Sequence, residues 1–266
     1  MADDGFTAVG RLDAPTTDEL LVSCPAVALS GRFFDQPALY TDDCGGGGAI
    51  VLVNNSNADL SFGGGGTNGA ICRYFFPEQA RCLCGLLRRG RQSRHVWRAL
   101  AGGLHRNYPD GGNGGLVPDV NMLPHPPGSI WYTPLPEARR RGTRVTNIVH
   151  VVGPKNNADF AKGDGATAAR VRASAIVRRM TARVLRLAED ELKAETVVLA
   201  GISSGIFAQG DQLWSAAMYA AMRSAISAHI LSSAEIGDGS TRRTTATRSL
   251  KVVLVGSWQG GGVEQN

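Results

Sequence analysis

Short apolar, β-branched runs alternate along this chain with polar turns, glycine-bearing loops and stretches of helical spacing. Ile50 to Val53 predicts a buried strand, followed by an Asn-rich turn (Asn54, Asn55, Asn57), the glycines Gly63 to Gly66 and an apolar helix starting near Ala70. Asn147 to Val152 predicts a second buried strand, closed by Gly153-Pro154. Thr196 to Ile202 predicts a third, running into Ser203-Ser204-Gly205-Ile206-Phe207 ahead of a helix over 212–230. Further strands are expected at 26–30 and 251–255. Between Arg170 and Leu192, Ile176, Met180, Val184 and Leu187 recur at helical spacing with arginines mostly off that stripe, which predicts an amphipathic helix with a solvated basic face. Trp214, Met218, Met222, Ile226 and Ile230 form a similar stripe, read as core.

The two loops that follow strands carry the candidate chemistry. Glycines between a strand end and a helix start let backbone amides approach a ligand with no Cβ in the way. Those amides and the positive end of the helix favour an anion, most often phosphate. Asparagines beside the loop both donate and accept, which suits sugar hydroxyls better than a metal. A phosphosugar pocket is the expectation.

Gly64-Gly65-Gly66-Thr67-Asn68-Gly69 also fits the G-x-G-x-x-G pattern of a dinucleotide-binding turn. That turn needs its glycines directly after the strand and an acid about 20 residues on. Here polar or mixed residues intervene, and the region from Cys84 to Gly90 is basic. No G-K-[ST] follows a glycine loop, which argues against a P-loop.

Three segments together resemble the macrodomain family. Val53-Asn54-Asn55-Ser56-Asn57 followed by Gly63 to Gly66 and Thr67-Asn68-Gly69-Ala70-Ile71-Cys72 is similar to V-N-A-A-N, a spacer and G-G-G-V-D-G-A-I-H. His150-Val151-Val152-Gly153-Pro154 is similar to H-x-V-G-P, and Ile202 to Phe207 to I-S-T-G-I-[FY]. The resemblance covers roughly residues 20–256. It implies an α/β fold, a three-layer α/β/α sandwich with a central mixed sheet, that binds ADP-ribose. The implied organisation is an N-terminal extension over 1–20, one domain over 21–256 with an insertion at about 77–130, and a tail over 257–266.

The resemblance also assigns roles. Asn57 would hold the distal ribose. Asn68 stands where the family keeps an Asp that positions water, and Cys72 where it keeps a histidine, so Asn68 cannot act as a general base. Bound pyrophosphate would then orient the water, or Asp59 or Asp211 would substitute, although each of these acids is a turn residue by default. Ligand contacts are expected from Asn55, Gly64, Gly65, Gly66, Ile71, Ser203, Ser204, Gly205, Ile206 and Phe207. At the adenine end, Phe33 and Asp35 are candidates, since Arg32 cannot accept a hydrogen bond. Two function classes stay open. One is a hydrolase that removes mono-ADP-ribose from acidic residues of proteins or deacetylates O-acetyl-ADP-ribose. The other is a reader that only binds ADP-ribose.

Composition narrows the partners. The chain has 266 residues, net charge +5 and 5 cysteines. An odd cysteine count with Cys72, Cys82 and Cys84 clustered predicts a reduced intracellular compartment, cytoplasmic or nuclear. Cys82-x-Cys84 with His95 or His105 lacks the usual spacing of a zinc site, and neither a metal nor a cofactor is expected. The acidic start, Met1-Ala2-Asp3-Asp4, has no apolar signal core, and no run approaches the ~18 residues of a membrane span. Arginines at 88, 89, 91, 94 and 98 and the Gly/Pro/Asn-rich 108–128 stretch fall in the insertion, where a mobile surface loop competes with a cationic rim for a charged partner. With no aromatics among these arginines, sequence-specific nucleic-acid reading is not expected. A monomer is.

Overall fold

A computed structural model describes residues 8–11, 26–29, 34, 40, 48–60, 65–77, 105–106, 124–161, 165–235 and 250–255. The strands are β1 (Ala8–Arg11), β2 (Ala26–Leu29), β3 (Ile50–Ser56), β4 (His105–Arg106), β5 (Ile130–Pro134), β6 (Val145–Val152), β7 (Thr196–Ala200) and β8 (Lys251–Val255). They form one mixed sheet in the order β1-β2-β8-β7-β3-β6-β5-β4. The run β2-β8-β7-β3-β6 is parallel, while β1, β5 and β4 lie antiparallel to their neighbours.

Strand alternation sorts side chains into two layers. Ile50 and Leu52 of β3 face a core with Ile148, Val198 and Val253, covered by Ile71, Cys72 and Phe75 of helix α1 (Gly66–Phe75). Val51 and Val53 face the other core with Val149, Val197 and Val252. That side is covered by α3 (Ala166–Arg186) and α4 (Gln212–Glu235), which follow the short α2 (Ala158–Ala161). The architecture is a three-layer α/β/α sandwich around a mixed sheet, as expected.

Several local expectations shift. The strand predicted to end at Val53 continues to Ser56, and α1 begins at Gly66 rather than near Ala70. In α3 the buried stripe runs through Ala169, Ala173, Val177, Met180 and Val184, with Ile176 only half-buried. Met180, Val184 and Leu187 of the expected stripe are buried, and small alanines complete the face where Ile176 turns away from it. The Trp214, Met218, Met222, Ile226 and Ile230 stripe of α4 is buried throughout. No helix among the described residues is long and apolar enough to cross a membrane. Most of the 77–130 segment, with the arginines at 88, 89, 91, 94 and 98 and with Cys82, Cys84 and His95, lies outside the described residues, whereas His105 lies in β4.

Candidate functional site

β3 sits between β7 and β6, and the chain reaches them in opposite directions: through α1 and β5 to β6, then through α3 to β7. The carboxyl ends of these three strands therefore border a topological switch point, where open α/β sheets bind ligands. Both loops singled out in the sequence lie there.

The first loop enters α1. Gly65 is its N-cap, with φ −96° and ψ −177°, and no side chain caps the helix. Gly65 and Gly66 are exposed, Gly66 at φ +59°, while Gly64 lies outside the described residues. An uncapped N-terminus leaves donors directed outward and a partial positive charge.

The second loop leaves β7 at Gly201 and folds across the end of β3 to the end of β6. A Cβ on Gly153 would stand 2.1 Å from Ser203 Oγ and 3.0 Å from Ile202 Cγ2. That close approach explains the Gly-Pro that ends β6. Gly201 is equally constrained, because a Cβ there would meet Ser204 Oγ at 2.1 Å and the Tyr219 ring at 2.5 Å. Ser203 adopts φ +61°, is 4% exposed, and its Oγ is a buried atom with no partner among the described residues. Its carbonyl accepts from Trp214 Nε1 at 3.0 Å, and that of Ser204 accepts from Ser215 Oγ at 2.9 Å. Both bonds tie the loop to the first turn of α4. The amides of Ser204, Gly205 and Ile206 have no backbone partner among the described residues.

The two loops meet. A Cβ built on Gly65 would lie 3.5 Å from Ile206 Cδ1, and Ile206 is 72% exposed. Phe207 is half-buried beside it, its carbonyl held by the Asn156 amide at 2.8 Å. Asn156 Nδ2 also donates to Ala208 O and Asp211 Oδ2, both at 3.2 Å. Asp211 Oδ1 accepts from the Trp214 amide at 3.0 Å, which makes it the N-cap of α4. That backbone hydrogen bond lowers its pKa first, outweighing desolvation, with Arg170 and Asn156 adding to the effect.

Under the loops lies a buried polar network. Asn54 is fully buried; its Nδ2 lies 2.9 Å from Asn68 Oδ1, 3.0 Å from Ser56 Oγ and 3.0 Å from His150 Nδ1. His150 Nε2 lies 3.0 Å from Thr133 Oγ1. In the tautomer that accepts from Asn54 at Nδ1, the proton sits on Nε2 and goes to Thr133. Burial lowers the His150 pKa from 6.5 to about 3, so the ring is neutral at ordinary pH. Asn68 Oδ1 also faces Cys72 Sγ at 3.9 Å, one helical turn on.

The remaining candidates divide by burial. Asn57 is exposed at the end of β3, and Asp59 is half-buried in the turn that follows. Asn55 is half-buried and ties β3 to the second loop, its Nδ2 donating to Gly201 O at 3.0 Å. Ile71 is fully buried in the core under α1. Phe33 and Asp35 lie outside the described residues; neighbouring Phe34 stacks on Tyr74 at 4.2 Å. The structure thus brings Gly65 and Gly66 together with the 203–207 loop, and places Asn68 beneath them.

Ser56 and Thr133 were not among the sequence candidates, and Asn54 and His150 were read as a turn asparagine facing the sugar and a motif residue rather than as partners in one buried network. Ile50, Leu52, Asn54 and Ser56 occupy alternate positions, and that period of two was the available signal. Asn156 was also missed, and only its position two residues after Pro154 pointed to it.

No family model matches the chain, and no curated protein does. Among solved structures the chain is similar to the Oceanobacillus iheyensis macrodomain with ADP, at 16% identity and TM-score 0.48 over 89% of this chain and 84% of that one. It is similar also to the Trypanosoma brucei macrodomain in complex with ADP-ribose, at 15% identity and TM-score 0.43 over 92% of this chain and 67% of that one. Both structures are of macrodomains, the family that the three motifs of this sequence resemble.

Proposed function

We propose that the chain binds ADP-ribose, with its pyrophosphate between the 63–66 loop and the 203–207 loop. The observation that carries this reading is the approach of Gly65 to Ile206 across the switch point, with an uncapped helix on one side and unpartnered amides on the other. Such amides are ready donors for phosphate oxygens. The backbone at Gly65 is extended and exposed, so glutamate fits there without left-handed strain. Gly65→Glu should fold normally and lose ADP-ribose affinity by a hundredfold or more, through bulk and like charge, on the order of several kcal/mol. Titration calorimetry showing wild-type affinity in this variant would reject the placement.

Hydrolysis of mono-ADP-ribose from acidic residues, or deacetylation of O-acetyl-ADP-ribose, is the finer reading. Asn57 would grip the distal ribose, and water would be oriented by the bound pyrophosphate above Asn68, since an amide cannot take its proton. Asn57→Ala is then expected to lower kcat at least tenfold while ADP-ribose affinity changes about threefold or less. Equal losses in both would make Asn57 a binding residue only.

The engagement of Asn68 Oδ1 by Asn54 favours a second reading, a non-catalytic reader of ADP-ribosylated proteins. Label release from an auto-modified mono-ADP-ribosyltransferase separates the two. Turnover supports the hydrolase, and stable binding without release supports the reader.

A further inference from the structure

α3 carries Arg170, Arg172, Arg178, Arg179, Arg183 and Arg186, with no lysine and no acid between Ala166 and Arg186. Arg172, Arg179 and Arg186 recur every seven residues, which sets them in one row about 10.5 Å apart along the axis. Arg178 stands on the shoulder of that row, and all four are exposed. Exposed Ala168 and Ala175 and half-buried Ala182 fill the same side of the helix, and exposed Val171 stands between Arg178 and the row. Arg172 is partly engaged, its guanidinium lying 4.8 Å over the Phe160 ring and donating to the Phe160 carbonyl. Arg178, Arg179 and Arg186 have no ion-pair partner among the described residues.

Among the described residues, the acids near this charge stand at the two ends of the helix and not along its outer face. Ala216, Ala220, Ser224 and Ala228 are exposed on α4 along with Leu213 and Leu231 near its ends, and Glu235 at its end is the only acid of that helix. Asp159 lies in α2, before the helix, and Glu189, Asp190 and Glu191 follow its end, with Glu189 held by His229 at 3.0 Å. Net charge +5 adds a long-range attraction for anions.

We propose that the outer face of α3 docks the phosphate backbone of a nucleic-acid duplex without reading its sequence. The choice of arginine over lysine matches the planar two-pronged recognition of phosphate. The exposed face of α3 carries no aromatic side chain, so it offers neither a stacking platform for unpaired bases nor an aromatic anchor for a protein partner. A duplex, whose regular backbone needs only positive charge, fits what remains. This surface is separate from the ADP-ribose reading and stands without it.

The test is fluorescence anisotropy with a labelled 20-base-pair mixed-sequence DNA duplex, the matching single strand and poly-glutamate, between 50 and 200 mM salt. The wild-type chain should bind the duplex with a log–log salt slope near about −3.6, as four neutralised phosphates require. The triple variant Arg178→Gln, Arg179→Gln, Arg186→Gln should keep the wild-type melting profile, weaken duplex binding at least about tenfold and flatten the slope by roughly 2.7. Three results would each overturn the proposal. They are no duplex binding at 50 mM salt, a triple variant that binds as wild type does, and poly-glutamate or the single strand binding as tightly as the duplex.

Discussion

Asn54→Leu is expected to destabilise the protein by about 2–5 kcal/mol, although leucine matches asparagine closely in shape. Asn54 is fully buried and its amide nitrogen serves Asn68, Ser56 and His150. It has two N–H groups for these three acceptors, so two bonds at most are satisfied at once. Removing them strands buried acceptors, each at about 1–3 kcal/mol. Replacing two partners together removes part of that cost, so Asn54→Leu with His150→Leu should cost less than the two single changes added. Urea unfolding of the three variants measures this directly. A single-variant loss below 1 kcal/mol, or strict additivity, would mean that the network contributes little.

The second large effect is on acid stability. His150 in the folded chain has its pKa lowered from 6.5 to about 3 by burial. Between those values the unfolded chain holds a proton that the folded chain does not, so stability rises with pH across the interval. The contribution is fully present above 6.5 and is lost as pH falls toward 3, by at most about 1.4 kcal/mol per pH unit. Between pH 6.5 and 5 most carboxylates stay ionised, so histidines dominate the slope there. His150→Gln should flatten the stability profile in that window relative to wild type. Parallel profiles for the two proteins would show that His150 is not held neutral.

These two effects also mark where the sequence was readable. β3, β6, β7 and β8 were legible because Val, Ile and Leu fill both sheet faces in runs bounded by polar turns. The two loops were legible because glycine and small hydroxyl residues stand out after such runs. Asn54 was expected in a turn, where asparagine is common. Its partners Asn68 and His150 stand 14 and 96 residues away, so only tertiary structure identifies it as a strand residue with a buried bond to each. Asp211 was a turn residue by default, and the structure makes it the cap of α4. Local spacing gave the existence of α3 and, through Met180, Val184 and Leu187, the direction of its buried face; its first turns were less legible, because alanine at 169 and 173 fills the face there with little hydrophobic contrast.

The adjacency of Asn54 and Asn55 in one strand carries a constraint on length. Asn54 is bonded toward α1 and Asn55 toward the loop after β7, because neighbouring strand residues point to opposite faces. Inserting or deleting a single residue between Ile50 and Val53 would exchange them, sending one amide into each of the wrong layers and moving every apolar partner with it. Variation in chain length is therefore excluded from β3, whereas substitutions that preserve parity remain open to it. A library of one-residue indels across the gene should show β3 as a sharp trough of recovered folded clones, and a paired deletion of two residues should fall outside that trough only where it keeps Asn54 opposite His150.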